Sequence, residues 1–77
     1  MQEKYRQLLE ALLESSKEFL NSQELGELVG ISQRTVIRYM KELKEQSLKY
    51  GFLVHTVKGR GYRLEIVEEE KFRDVLA

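Results

Sequence analysis

The sequence predicts an α+β fold in which three helices precede a two-stranded β-hairpin. Three observations point to it. Apolar residues recur at helical spacing through the first 48 positions. The period changes to two after Gly51. Two alternating runs then flank Lys58-Gly59-Arg60-Gly61, a stretch with the glycines of a turn. The chain has 77 residues, enough for one domain and too short for two.

Tyr5, Leu8, Leu9, Leu12 and Leu13 predict a first helix over residues 3–14, ended by Ser15-Ser16. Glu18-Phe19-Leu20 is expected to form a short extended piece. Asn21 and Ser22 are both suitable N-caps, and Asn21 has Glu24 three residues on, the spacing of a capping box. Leu25, Leu28 and Val29 give the short second helix one apolar face. Gly30 follows it and can turn the chain with positive φ at little cost.

Ser32 is expected to cap a third helix running to about Leu48. On that helix Val36, Met40, Leu43 and Ser47 share one side, with Tyr39 at its edge. Arg34, Arg38, Lys41 and Glu45 share the other. Packing the first set inward turns the second set outward, and Ile37 lies away from the core centre.

In the first strand Phe52, Val54 and Thr56 face one way and Leu53, His55 and Val57 the other. In the second, Tyr62, Leu64 and Ile66 alternate with Arg63, Glu65 and Val67. The hairpin carries Lys58 and Arg60 at its tip. Residues 67–77 return to helical character, with Phe72, Val75 and Leu76 as an apolar stripe.

The chain is neutral, with thirteen basic and thirteen acidic side chains, but its charge is segregated. Residues 1–31 hold three basic and six acidic side chains. Residues 32–63 hold eight and two, and residues 64–77 hold two and five. A basic block between acidic flanks points to a polyanionic partner. Charged residues make up 34% and apolar ones 42%, which suits a folded domain. No apolar run reaches the roughly 20 residues that span a bilayer, so no membrane association is expected. The charged, amphipathic N-terminus is unlike a signal peptide. There is no cysteine, which fits a reducing compartment such as the cytoplasm.

Helix, short helix, glycine turn, basic helix and glycine-tipped hairpin, in that order, make a winged helix-turn-helix. In such a body the second helix braces the third, which projects into a DNA major groove wide enough to admit it. Gly26 stands where the two helices approach, and a small residue belongs there.

Ser32 can cap the third helix and offer its backbone N–H to a phosphate. Gln33 and Thr35 lie near the N-terminus, where base edges are read. Arg34 and Arg38 can grip guanine bidentately, and Ile37 can meet a thymine methyl. Lys41 and Lys44 suit phosphate contact or solvated charge. Lys58 and Arg60 can rest against phosphates or enter a minor groove.

The sequence also resembles a family. The matching stretches are Leu25-Gly26-Glu27-Leu28-Val29-Gly30-Ile31-Ser32, Arg34-Thr35-Val36, Lys41-Glu42-Leu43 and the hairpin's Lys58-Gly59-Arg60-Gly61-Tyr62-Arg63-Leu64. Over roughly residues 12–66 these look like the first helix-turn-helix domain, of type 11 or DeoR-like, of bacterial transcription regulators that carry phosphotransferase-system regulation domains. Activators of mannitol and β-glucoside operons are of this type. The amino-terminal domain of biotin ligase repressors is a more distant relative. Ile37 departs from the family's usual polar or basic residue, and Tyr39 from its frequent aspartate.

The resemblance implies a reader of operator or promoter DNA, followed in the intact regulator by effector-sensing domains that hold a homodimer together. It divides the chain into a DNA-binding domain at residues 1–66 and a helical connector at residues 67–77 that leads to further domains.

The other side chains suggest less. His55 stands alone, with no second histidine and no cysteine, so no metal site is expected. Tyr62 is expected as core support. Glu68-Glu69-Glu70 lacks a neighbouring histidine or nucleophile, and neither an enzyme nor a cofactor is expected. One competing reading is a winged helix used for protein–protein assembly without DNA sequence specificity. RNA binding ranks last, because A-form major grooves are too narrow for side-chain reading and no aromatic stacking sheet is present.

Overall fold

A computed structural model of the chain describes residues 1–76. Ala77, the last residue of the expected connector, lies outside the described residues. The elements run α1 (Glu3–Glu14), α2 (Ser22–Val29), α3 (Gln33–Gln46), a 3-10 turn (Ser47–Tyr50), β1 (Phe52–Val57), β2 (Gly61–Ile66) and α4 (Glu69–Leu76).

Local chemistry sets each boundary. Asn21 opens α2 through a complete capping box. Glu24 N donates to Asn21 Oδ1 at 2.8 Å, and Asn21 N donates to Glu24 Oε1 at 3.0 Å. Gly30 closes α2 at φ 79°, in the left-handed region where a Cβ is costly. The chain then folds back, and Ile31 N donates to Gly26 O at 3.0 Å. A Cβ on Gly26 would come within 2.7 Å of the Ile31 carbonyl oxygen, so only glycine permits this approach. The small residue is needed against the turn's backbone, beside the start of α3.

The third helix ends two residues earlier than expected. Beyond Gln46 the backbone tightens into the 3-10 turn, and Gly51 N donates to Leu48 O at 3.3 Å. Ser47 is buried there as predicted, its hydroxyl donating to Lys44 O at 2.9 Å.

The hairpin is antiparallel, pairing Phe52 with Ile66, Val54 with Leu64 and Val57 with Gly61. Gly61 therefore begins β2, and the turn is the three residues Lys58, Gly59 and Arg60. Of the extended piece expected at Glu18-Phe19-Leu20, only Leu20 pairs. It makes an isolated bridge to Tyr62, with hydrogen bonds of 3.0 and 2.8 Å. Gly61 has φ 117°, and a Cβ there would come within 2.4 Å of Leu20 O. A side chain at this position would push the hairpin off the helical body.

One core joins all elements. It contains Leu8 and Leu9 from α1, Leu25 from α2, and Val36, Met40 and Leu43 from α3. Phe52 and Val54 come from β1, and Phe72 and Val75 from α4. The Phe52 and Phe72 rings meet edge to face, with centroids 5.7 Å apart. Helix α4 is thus part of the same core as the first 66 residues. Glu68 N and Val67 N both donate to Gly51 O, at 3.0 and 2.9 Å, which folds α4 back. Leu28 differs from expectation. It is 64% exposed, because Leu25 and Val29 alone supply the packed face of α2.

Candidate nucleic-acid interface

The burial of α3 divides cleanly. Val36, Met40 and Leu43 are buried, whereas Gln33, Arg34, Ile37, Arg38 and Lys41 are exposed. Among the described residues Arg34, Arg38, Lys41 and Lys58 take part in no ion pair. The outer face of α3 therefore presents three cations outside any close ion pair, with Glu45 as the acidic side chain at its far end.

Ser32 and Thr35 are largely engaged in building the helix N-terminus. Thr35 N donates to Ser32 Oγ at 3.1 Å, and the Ser32 hydroxyl donates to Thr35 Oγ1 at 2.8 Å. Gln33 Nε2 donates to Ser22 Oγ at 2.9 Å, which holds this amide where α2 and α3 begin. Ile37 is 51% exposed.

The wing is tied to α3 by a side-chain hydrogen bond. Lys44 Nζ donates to Thr56 Oγ1 at 3.4 Å, so Lys44 bridges α3 to β1. A shallow groove separates the two elements. Ile37 and Gln33 line one wall, Thr56, Val57 and Gly59 the other, with Asn21 and Ser22 at one end. Lys58 projects from the turn, exposed. Arg60 is also exposed, but its guanidinium lies over the ring of Phe19.

The seat of α3 is set from behind. The Tyr5 hydroxyl donates to Glu42 Oε1 at 2.5 Å, and the Tyr5 and Tyr39 rings meet edge to face at 5.1 Å. The bond to Glu42, reinforced by burial and the carboxylate's charge, pushes the Tyr5 pKa up to about 12. Tyr39 thus packs against the core as well as lying beneath Arg38, whose guanidinium is 5.2 Å from its ring centroid.

His55 Nε2 lies 2.7 Å from Glu65 Oε1, a diagonal pair across the hairpin. Among the described residues no group of three or more His, Cys, Asp or Glu side chains is placed to hold a metal ion. No helix among them is long and apolar enough to cross a membrane.

Sequence reasoning missed the contributions of Phe19, Thr56 and Val57. No local sequence signal marks Phe19, whose role follows from the bridge between Leu20 and Tyr62. Thr56 and Val57 needed the register of the hairpin against α3.

A helical body that presents an unpaired basic helix beside a two-stranded ribbon is a winged helix-turn-helix, a DNA-binding class. Residues 4–63 match the family described as HTH domain, type 11, and the chain belongs to that family. No curated relative matches the chain at a significant level.

Proposed function

We propose that the domain reads operator or promoter DNA sequence-specifically for a bacterial transcription regulator of sugar operons linked to the phosphotransferase system. In this reading the regulator is cytoplasmic and dimeric, and α4 leads on toward effector-sensing domains. The observation that carries it is the outward row Arg34, Ile37, Arg38 and Lys41 on a helix whose inner row is buried.

Arg34 and Arg38 contact guanine, each discriminating by about 1–3 kcal/mol, and Ile37 meets a thymine methyl. Gln33 and Thr35 lie at the base-reading end, Ser32 offers its N–H to phosphate, and Lys41, Lys58 and Arg60 meet the backbone.

Selection of bound duplexes from a random pool tests this directly. A single enriched motif, protected as a discrete footprint and weakened by Arg34→Ala and Arg38→Ala, supports the reading. Absence of enrichment removes it and favours a protein-assembly module. The half-exposed Ile37, across the groove from Val57 at 40% exposure, is the feature of this face that favours that second role.

A further inference from the structure

The molecule has a second groove, which shares no lining residue with the one beside the wing. It runs between α1 and α2. Gln7, Glu10, Ala11 and Glu14 line its α1 side, at the spacing that places residues on one helix face. Glu24, Glu27 and Leu28 line its α2 side, and Leu20 forms part of the floor.

Two properties of this groove bear on what it can hold. Leu28 is 64% exposed in an eight-residue helix that packs without it. Four carboxylates converge around the apolar strip, and Lys17 pairs with only one of them, Glu24. Among the described residues Glu10, Glu14 and Glu27 have no cationic partner. Like charges at positions four apart, as in Glu10 and Glu14, oppose the helix that carries them. An apolar strip rimmed by unpaired carboxylates is complementary to one kind of surface, an apolar ridge flanked by cations.

We infer that this groove docks a cationic amphipathic helix from a partner protein. The stretch from Gln7 to Glu14 is about 10 Å of helix rise, which accommodates about two turns of the incoming helix. Its apolar residues, one turn apart, cover Leu28 and Ala11, and its lysines or arginines pair with Glu10, Glu14 and Glu27. A second copy of this chain is the poorer occupant. Its cations lie mainly on α3 and the wing, the surface assigned to DNA, so self-docking and DNA binding would exclude one another. None of the residues assigned to DNA lines this groove, so a partner helix and a duplex can be held together.

The test uses the full chain, labelled with nitrogen-15, and a synthetic helical peptide about 15 residues long, with a leucine stripe between two rows of lysine. A twin with glutamate in place of lysine is the control. The expected result is saturable amide shifts at Ala11, Glu14, Lys17, Glu24 and Leu28 with the lysine peptide and none with its twin. Leu28→Ser and the pair Glu10→Gln and Glu14→Gln should each weaken binding by about tenfold, without changing the chain's circular dichroism or its affinity for duplex DNA.

Equal shifts along the exposed Glu68-Glu69-Glu70 run would reveal mere charge attraction and overturn the proposal. So would the same groove shifts on concentrating the free chain, which would identify a second copy as the occupant. Absence of groove shifts, or full affinity in Leu28→Ser, would overturn it as well.

Discussion

The guanidinium of Arg60 lies 4.5 Å above the ring centroid of Phe19. This contact joins the far end of the wing to the segment that enters α2. Together with the bridge between Leu20 and Tyr62, it makes the hairpin a fixed wall of the groove beside α3. Phe19→Leu keeps the apolar volume and removes the π face. It should cost about 0.5–1 kcal/mol of stability, the range for an exposed cation–π pair, and increase fast motion at residues 58–60. Thermal denaturation and nitrogen-15 relaxation measure the two effects. Unchanged relaxation at the turn would show that the stack does not hold the wing.

Lys58 and Arg60 should therefore behave differently on DNA. Lys58→Ala should reduce the salt slope of binding by about one unit, at all sequences alike. Arg60→Ala should also raise wing mobility in the free domain, which Lys58→Ala should not. Titrations at several salt concentrations, paired with relaxation data, separate them.

Tyr5 predicts an alkaline sensitivity. Its folded pKa, about 12, lies above the ordinary value of 10.0, so the folded state keeps this proton after the unfolded chain has lost it. The stability from this group is complete below about pH 10 and declines as the pH rises toward 12. Tyr5→Phe removes the hydrogen bond to Glu42 and should cost about 0.5–1.5 kcal/mol near neutral pH. The variant should show a smaller stability loss between pH 10 and 12. Urea melts at several pH values measure this, and an unchanged alkaline profile would count against the contact.

Gly26 is where stability and function meet. Gly26→Ala drives a Cβ to 2.7 Å from a backbone oxygen that has no side-chain freedom to move away. The expected cost is about 1–3 kcal/mol, the range for overpacking a tight site. Because the oxygen belongs to Ile31, next to the cap of α3, DNA affinity should fall further than the lost folded fraction explains. Chemical denaturation and binding on the same sample provide both quantities.

Helix α4 should be needed for folding. Phe72→Ala should cost about 3–5 kcal/mol, as expected for a buried aromatic ring. A chain ended after Ile66 loses both Phe72 and Val75 and uncovers Phe52. It should be largely unfolded at room temperature by circular dichroism. A stable, cooperatively folded truncation would show that residues 1–66 fold without α4.

Much of this architecture was legible from local patterns. The inner row of α3 was readable because a fourteen-residue helix repeats its apolar spacing over almost four turns. The capping box of Asn21 and Glu24 and the cap at Ser32 were readable because each is complete within four residues. The role of α4 was hidden in a short, acidic stretch whose two buried side chains gain meaning only against Phe52. Leu28 was assigned to a packed face because periodicity reports which residues share a side, not how far a neighbour covers them. The stack of Arg60 on Phe19 was invisible, since it joins segments about forty residues apart through a single bridge at Leu20.

The separation of charge in this fold has a kinetic consequence. A neutral molecule feels little net pull from a distant polyanion, but one with cations on α3 and the wing and carboxylates along α1 and α2 has its charge divided between two faces. In the field of a duplex such a division should produce a torque before net attraction, which would turn α3 toward the DNA. Encounter should then be orientation-selected, with an association rate that falls steeply as added salt shortens the range of that torque.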